Sequence, residues 1–131
     1  MIYLPEKHEK TWGHEEWAVN KDYCGKMLVV KAGWQCSLHK HKKKDEVFMV
    51  ASGVVFMEVG DEESVMMPGR CVHIPTGVLH RFSALMPTKL IEFSSHHEEE
   101  DSYREIESRK IPRKEYKRMV GVWYGHDSIG G

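Results

Sequence analysis

Between Lys26 and Ser95, apolar positions recur in short runs of strand period, broken by Gly and Pro turn signals. Lys26 to Ala32 is β-branched and apolar, and Gly33 ends it. Glu46 to Ala51 predicts the next strand, with Ser52-Gly53 as the turn after it. Val54 to Val59 returns, and Gly60-Asp61-Glu62 closes that hairpin. Pro68-Gly69 marks a further turn, Arg70 to Ile74 a strand, and Pro75-Thr76-Gly77 another turn. Leu79 to Leu85 and Lys89 to Ser94 complete the series. Nothing before residue 98 has helical periodicity. Many short strands at even spacing predict an all-β sandwich or barrel.

The flanks read differently. Residues 1–11 are polar, carry Pro5 and predict an arm with little structure of its own; Trp12 to Asn20 predicts an entering edge strand and Asp22 to Gly25 a turn. The tail opens on Glu98-Glu99-Glu100-Asp101 and alternates charges through Lys117. Val120 to Tyr124 then predicts a short edge strand, in this subunit or in a second copy, and the closing Gly130-Gly131 is expected to fray.

A chain of 131 residues suits one domain, 1–131, with a true core and no need of a disulfide staple. Nineteen Lys and Arg balance twenty Asp and Glu, which argues against a nucleic-acid binder that works by bulk charge. Cys24, Cys36 and Cys71 are odd in number and form no CxxC pair, so reduced thiols and a cytoplasmic location are expected. Met1 to Lys10 lacks the apolar run of a signal peptide. No stretch approaches the roughly 18 apolar residues of a membrane span.

The chemistry is concentrated in Gly33 to Gly53. His39 and His41 are two apart, so on a strand both imidazoles point to one face. Glu46 follows a four-residue loop that lets the chain reverse and bring a carboxylate to the same cavity. His80, after the Pro75–Gly77 turn, supplies a third imidazole. Three neutral imidazoles and one carboxylate suit a first-row divalent metal and leave positions open for water or substrate.

Gly33, His39, His41, Glu46 and Gly53 resemble, at every spacing, the first motif of the cupin superfamily. Gly69, Pro75, Gly77 and His80 resemble the second, with Ala84 in place of the Asn often found at its end. The resemblance covers about residues 26–95. It implies a double-stranded β-helix, the jelly-roll barrel, with an N-terminal arm (1–17) and a C-terminal extension (98–131). It also implies His39, His41, Glu46 and His80 as ligands of one divalent transition metal: Mn, Fe, Zn, Ni or Co. Lys10 to Trp17, and His73 to Phe82 with its Pro75, Gly77 and His80, are similar to the cupin domain of type II mannose-6-phosphate isomerases, although Thr11 stands where that group has Pro.

Two further residues are candidates for catalysis. Glu92 is a charged residue in an apolar strand, on the face shared by Leu90 and Ser94, and is the first candidate base. His73, two residues before Pro75, is the second, at the cavity mouth. Alternation also turns Phe48, Val50, Phe82 and Ala84 inward, and places Ile91 and Phe93 in a core between sheets or between subunits. Lys42 to Lys44 read as a solvated turn or an anion-attracting rim, and His96 and His97 as solvated strand ends. The resemblance implies metal-dependent aldose–ketose isomerisation of a small molecule such as a sugar phosphate, in a homodimer with no nucleic-acid or membrane partner. A non-haem iron dioxygenase and a non-catalytic, metal-dependent binding protein are the alternatives.

Overall fold

Gly13 holds the first hairpin tight: its φ is +149°, and a Cβ there would collide with the Val29 carbonyl oxygen. The computed structural model describes residues 1–130, with side chains for 1–125; Gly131, expected to fray, lies outside the described residues. The hairpin joins β1 (Glu6–Lys10) to β2 (Gly13–Asn20). Part of the arm expected to lack structure is therefore a strand, paired along one side with β2.

The chain continues through β3 (Tyr23–Val30), β4 (Trp34–Gln35), β5 (Leu38–Lys40), β6 (Glu46–Ser52), β7 (Val55–Val59) and β8 (Glu62–Met66). Then come β9 (Cys71–Ile74), β10 (His80–Ala84), β11 (Thr88–Ser95), a 3₁₀ turn (Glu99–Asp101), β12 (Tyr103–Ile106) and β13 (Arg109–Lys110). An α-helix, α1 (Arg113–Gly130), ends the described chain.

The strands form two sheets. The first runs β1-β2-β3-β11-β6-β9. In the second, β10 pairs with β7 on one side and with the short pieces β4 and β5 on the other; β8 extends β7, and β12 and β13 extend β5 and β4. The closed jelly-roll barrel implied by the resemblance is not formed. Among the described residues no ladder joins the two sheets, and both stay open at their edges. The first ends at β1 and β9, and β8 pairs only with β7. The Pro68-Gly69 turn carries the chain from β8 to β9 and so from one sheet to the other, and β4 and β5 are flanked by strands of the tail rather than by the first sheet. The edge strands are short, which limits their unpaired backbone.

Side chains, not hydrogen bonds, hold the sheets together. Leu28, Val30, Phe48, Val50 and Leu90 of the first sheet pack against Val55, Met57, Phe82 and Ala84 of the second. Phe48, Val50, Phe82 and Ala84 are buried as alternation predicted. Each such side chain contributes about 1.5–3 kcal/mol on burial. Gly53 closes the β6–β7 turn at φ +90°, where a Cβ would collide with the Pro87 carbonyl oxygen.

The tail departs from expectation. Val120 to Tyr124 lies in α1, not in an edge strand. Tyr116, Met119, Val120 and Trp123 recur at helical spacing and join Val54, Phe56, Leu85 and Ile111 in a second core on the outer face of the second sheet. Phe93 is 51% exposed in the single chain and so lies outside the core between the sheets; Ile91 beside it is half-buried.

Candidate metal centre

The β5–β10 ladder sets His39 directly opposite His80. His41 lies just beyond β5, and its ring centre is 4.9 Å from that of His39 and 5.3 Å from that of His80. One nitrogen from each of the three rings lies within 4.8 Å of the others.

Backbone carbonyls orient all three rings. Nδ1–H of His39 donates to Ser37 O at 2.8 Å, that of His41 to Asp101 O at 2.7 Å, and that of His80 to Val78 O at 2.9 Å. Each bond fixes the tautomer and leaves Nε2 as a lone-pair donor. Burial, with His80 next to it, pushes His39 down to about 3. Burial and the nearby Lys44 also lower His41. His39 and His41 are therefore neutral at physiological pH, the form that binds metal.

Glu46 opens β6 and is buried. Its Oε1 lies 3.2 Å from His80 Nε2 and its Oε2 3.5 Å from His41 Nε2. Burial pushes its carboxyl upward, but His80 and Lys44 outweigh that and hold it below the usual carboxylate range. Glu46 Oε2 is ion-paired with Lys44 Nζ at 3.0 Å, whereas Glu46 Oε1 and His80 Nε2 are buried with no hydrogen-bond donor between them. Orphaned polar atoms in an interior are costly, about 1–3 kcal/mol each. A cation between Glu46 Oε1 and His80 Nε2 would satisfy both. The donor set fits such an ion: His39, His41 and His80 form a cluster that can hold one divalent transition metal.

His39 and His41 line a cavity of about 320 Å³ between the sheets, and His80 is buried behind them. Trp12, Phe48 and Phe82 form apolar wall, and Glu15, Lys26, Lys44, Glu92 and His97 polar wall. Glu92 is buried there. Its Oε2 accepts from Lys44 Nζ at 3.1 Å and from Ser94 Oγ at 2.9 Å. His73 lies elsewhere: it is exposed, does not line the cavity and contacts Asp45 at 2.7 Å.

The sequence reading missed several wall residues. Lys44 is no part of a solvated turn. It is buried, 3.0 Å from Glu46 Oε2 and 3.1 Å from His97 Nδ1, and its paired carboxylates hold it above the ordinary lysine range despite burial. Lys42 and Lys43 do face outward, over Tyr103 and toward Glu98. His96 is exposed, but His97 turns inward and its Nε2–H donates to Glu99 at 3.1 Å. Lys26 was legible in principle, because β3 buries Cys24, Lys26, Leu28 and Val30 on one face. Asp101 had no local signal. Its carboxylate accepts the backbone N–H groups of Lys42, Lys43 and Lys44 at 2.9–3.2 Å and pins the loop that leads into Glu46.

The family described as "Cupin domain" matches residues 26–94, just over half of the chain. The chain belongs to that family. Among curated proteins, this cupin is 30% identical over 89 residues to "Xanthan biosynthesis protein XanB" of Xanthomonas campestris pv. campestris (strain B100), a match covering 66% of this chain and 19% of that protein. It is 31% identical over 75 residues to "Mannose-1-phosphate guanylyltransferase 2" of Escherichia coli O157:H7, covering 56% and 16%. The chain thus spans under a fifth of the curated relatives it matches. Among solved structures, KdgF from Halomonas sp. superposes with a TM-score of 0.67 at 18% identity, over 72% of this chain and 89% of that one. That likeness is one of fold alone. Among the described residues, no helix of this cupin is long and apolar enough to cross a membrane.

Proposed function

We propose that this cupin is a metal-dependent enzyme that isomerises a sugar or sugar phosphate, with His39, His41, Glu46 and His80 as the ligands of one divalent ion. The carrying observation is the convergence of three oriented imidazoles and the buried Glu46 carboxylate beside a cavity that also holds a buried second carboxylate, Glu92. The printed names of the relatives, a xanthan biosynthesis protein and a mannose-1-phosphate guanylyltransferase, agree with a sugar as substrate. So does the similarity of Lys10 to Trp17, and of His73 to Phe82, to type II mannose-6-phosphate isomerases.

When bound, the ion supplies Lewis-acid polarisation of a carbonyl and its neighbouring hydroxyl. The protein does the rest. Glu92 moves the proton between the two carbons. Its Oε2 is tied to Lys44 and Ser94, while Oε1 accepts no hydrogen bond from the protein and serves as the base. Trp12, Phe48 and Phe82 keep bulk water from the reacting carbons. We propose further that the molecule works as a homodimer. Phe93 and Tyr23, 51% and 64% exposed, sit on neighbouring strands of the first sheet, and Met1 to Leu4 are exposed as well.

The test is turnover without dioxygen. Protein loaded in turn with Mn²⁺, Zn²⁺ or Fe²⁺ is expected to interconvert aldoses and ketoses anaerobically. Turnover that demands both Fe²⁺ and dioxygen would replace the isomerase with an oxygenase. Tight sugar binding without turnover would leave a binding protein.

A further inference from the structure

Glu46 and Glu92 share one face of the first sheet. The β6–β11 ladder sets Ser94 opposite Glu46 and Glu92 opposite Phe48, so the two carboxylates are diagonal cross-strand neighbours, close enough for side chains of this length to meet. Both are buried, and both line the cavity with His39 and His41. Two buried anions this close repel each other, and a divalent ion on the histidines would attract both.

Lys44 stands between them. Its Nζ lies 3.0 Å from Glu46 Oε2 and 3.1 Å from Glu92 Oε2. Among the described residues no other lysine or arginine pairs with either carboxylate. Lys26 sits opposite Glu92 on β3, but its Nζ is 3.5 Å from Glu15 and 4.3 Å over the Trp17 ring. Lys44 is itself held at both ends. Its backbone N–H donates to Asp101 at 3.0 Å, and its ammonium donates to His97 Nδ1 at 3.1 Å. Ser94 Oγ–H meets the same Glu92 oxygen at 2.9 Å. The ammonium thus occupies one oxygen of each carboxylate. Glu46 keeps Oε1 beside His80 Nε2, at 3.2 Å, as the oxygen free for an ion. A cation fixed beside a metal site opposes the ion, and the pair of carboxylates it holds apart is what offsets that cost.

We propose that Lys44 is a positioning residue that divides the two carboxylates, holding Glu92 off the ion so that Glu46 is the carboxylate ligand and Glu92 stays a base. This rests on the metal and base roles proposed above and deepens them.

The experiment titrates chelator-treated protein with Co²⁺ and reads both the affinity and the visible ligand-field spectrum, which reports the groups around the ion. Lys44→Met keeps the bulk of the side chain without its charge. It is expected to bind Co²⁺ about tenfold or more tightly and with a changed spectrum, because Glu92 joins the ion. Lys44→Met/Glu92→Gln removes the entering carboxylate and is expected to regain the wild-type spectrum. An unchanged spectrum in Lys44→Met, a weaker affinity, or a changed spectrum that persists in the double variant would overturn the proposal. Lys44→Gln, polar and uncharged, carries the same expectations should Lys44→Met not fold. Wild-type protein that takes up no Co²⁺ would overturn the metal reading and this inference with it. Wild-type protein that binds Co²⁺, beside Lys44 variants of identical spectrum, would overturn this inference alone.

Discussion

His41 and Asp101, 60 residues apart, are joined by a hydrogen bond of 2.7 Å from the imidazole Nδ1–H to the backbone carbonyl. The Asp101 carboxylate meanwhile gathers the N–H groups of Lys42, Lys43 and Lys44. One residue of the tail thus orients a metal-site imidazole and shapes the loop between His41 and Glu46.

Asp101→Ala removes the acceptor of three backbone donors while keeping the carbonyl. The expected loss is about 2–3 kcal/mol of stability, seen in urea unfolding. Metal affinity should fall about tenfold, because the loop no longer presents Glu46 in register. Asp101→Asn, which retains one acceptor, should lie between. Wild-type metal affinity in the alanine variant would show that the loop holds itself.

Stability of chelator-treated protein should fall with acidification in two stages. Burial lowers His39 and His41 below the usual 6.5, so the unfolded chain binds protons that the folded one refuses. Their contribution is full above 6.5 and is lost progressively as pH falls toward about 3 for His39. Burial would raise Asp101, but the N–H groups of Lys42, Lys44 and Lys43 outweigh it and set its carboxyl below 3.8; that contribution is full above 3.8 and disappears as pH falls through the lowered value. Urea midpoints from about pH 8 down to about pH 2 check both stages, and a midpoint that rises on acidification would contradict it.

Glu92→Gln should keep the fold and the metal and lose turnover by about two or more orders of magnitude. Metal content and activity must be read on one preparation. Loss of metal would make Glu92 a support of Glu46 through Lys44. Retention of both would place the base elsewhere on the cavity wall, with His97 the nearest imidazole to Glu92's partner Lys44.

Sedimentation at micromolar concentration is expected to show a dimer of the 15.2 kDa chain. Phe93→Glu should dissociate it, because it places a charge in the middle of the exposed face of the first sheet. A monomer in the wild type would remove the homodimer from the account.

The alternation of Glu46, Phe48 and Val50, and of Leu90 with Glu92, was readable because a strand's period of two is a local property. Barrel closure was not. It depends on which edges meet, and β4 and β5 found their outer neighbours in the tail. Tyr116, Met119, Val120 and Trp123 carried a helical period, but dense charges around them and the short apolar run that follows suggested a strand. Lys44 was hidden in a run of like residues, since only the fold distinguishes the lysine trapped between Glu46 and Glu92 from its two exposed neighbours. The face of β11 that carries Phe93 is not covered within the chain, and alternation alone does not say whether a sheet or a second subunit covers it.

The central claim is that the buried imidazoles and Glu46 hold a metal. Elemental analysis of protein purified without chelator, beside a His39→Ala/His80→Ala double variant, tests it most directly. The account predicts about one equivalent of a divalent transition metal per chain in the wild type and none in a variant that still folds. A folded double variant that keeps its full equivalent of metal would contradict it.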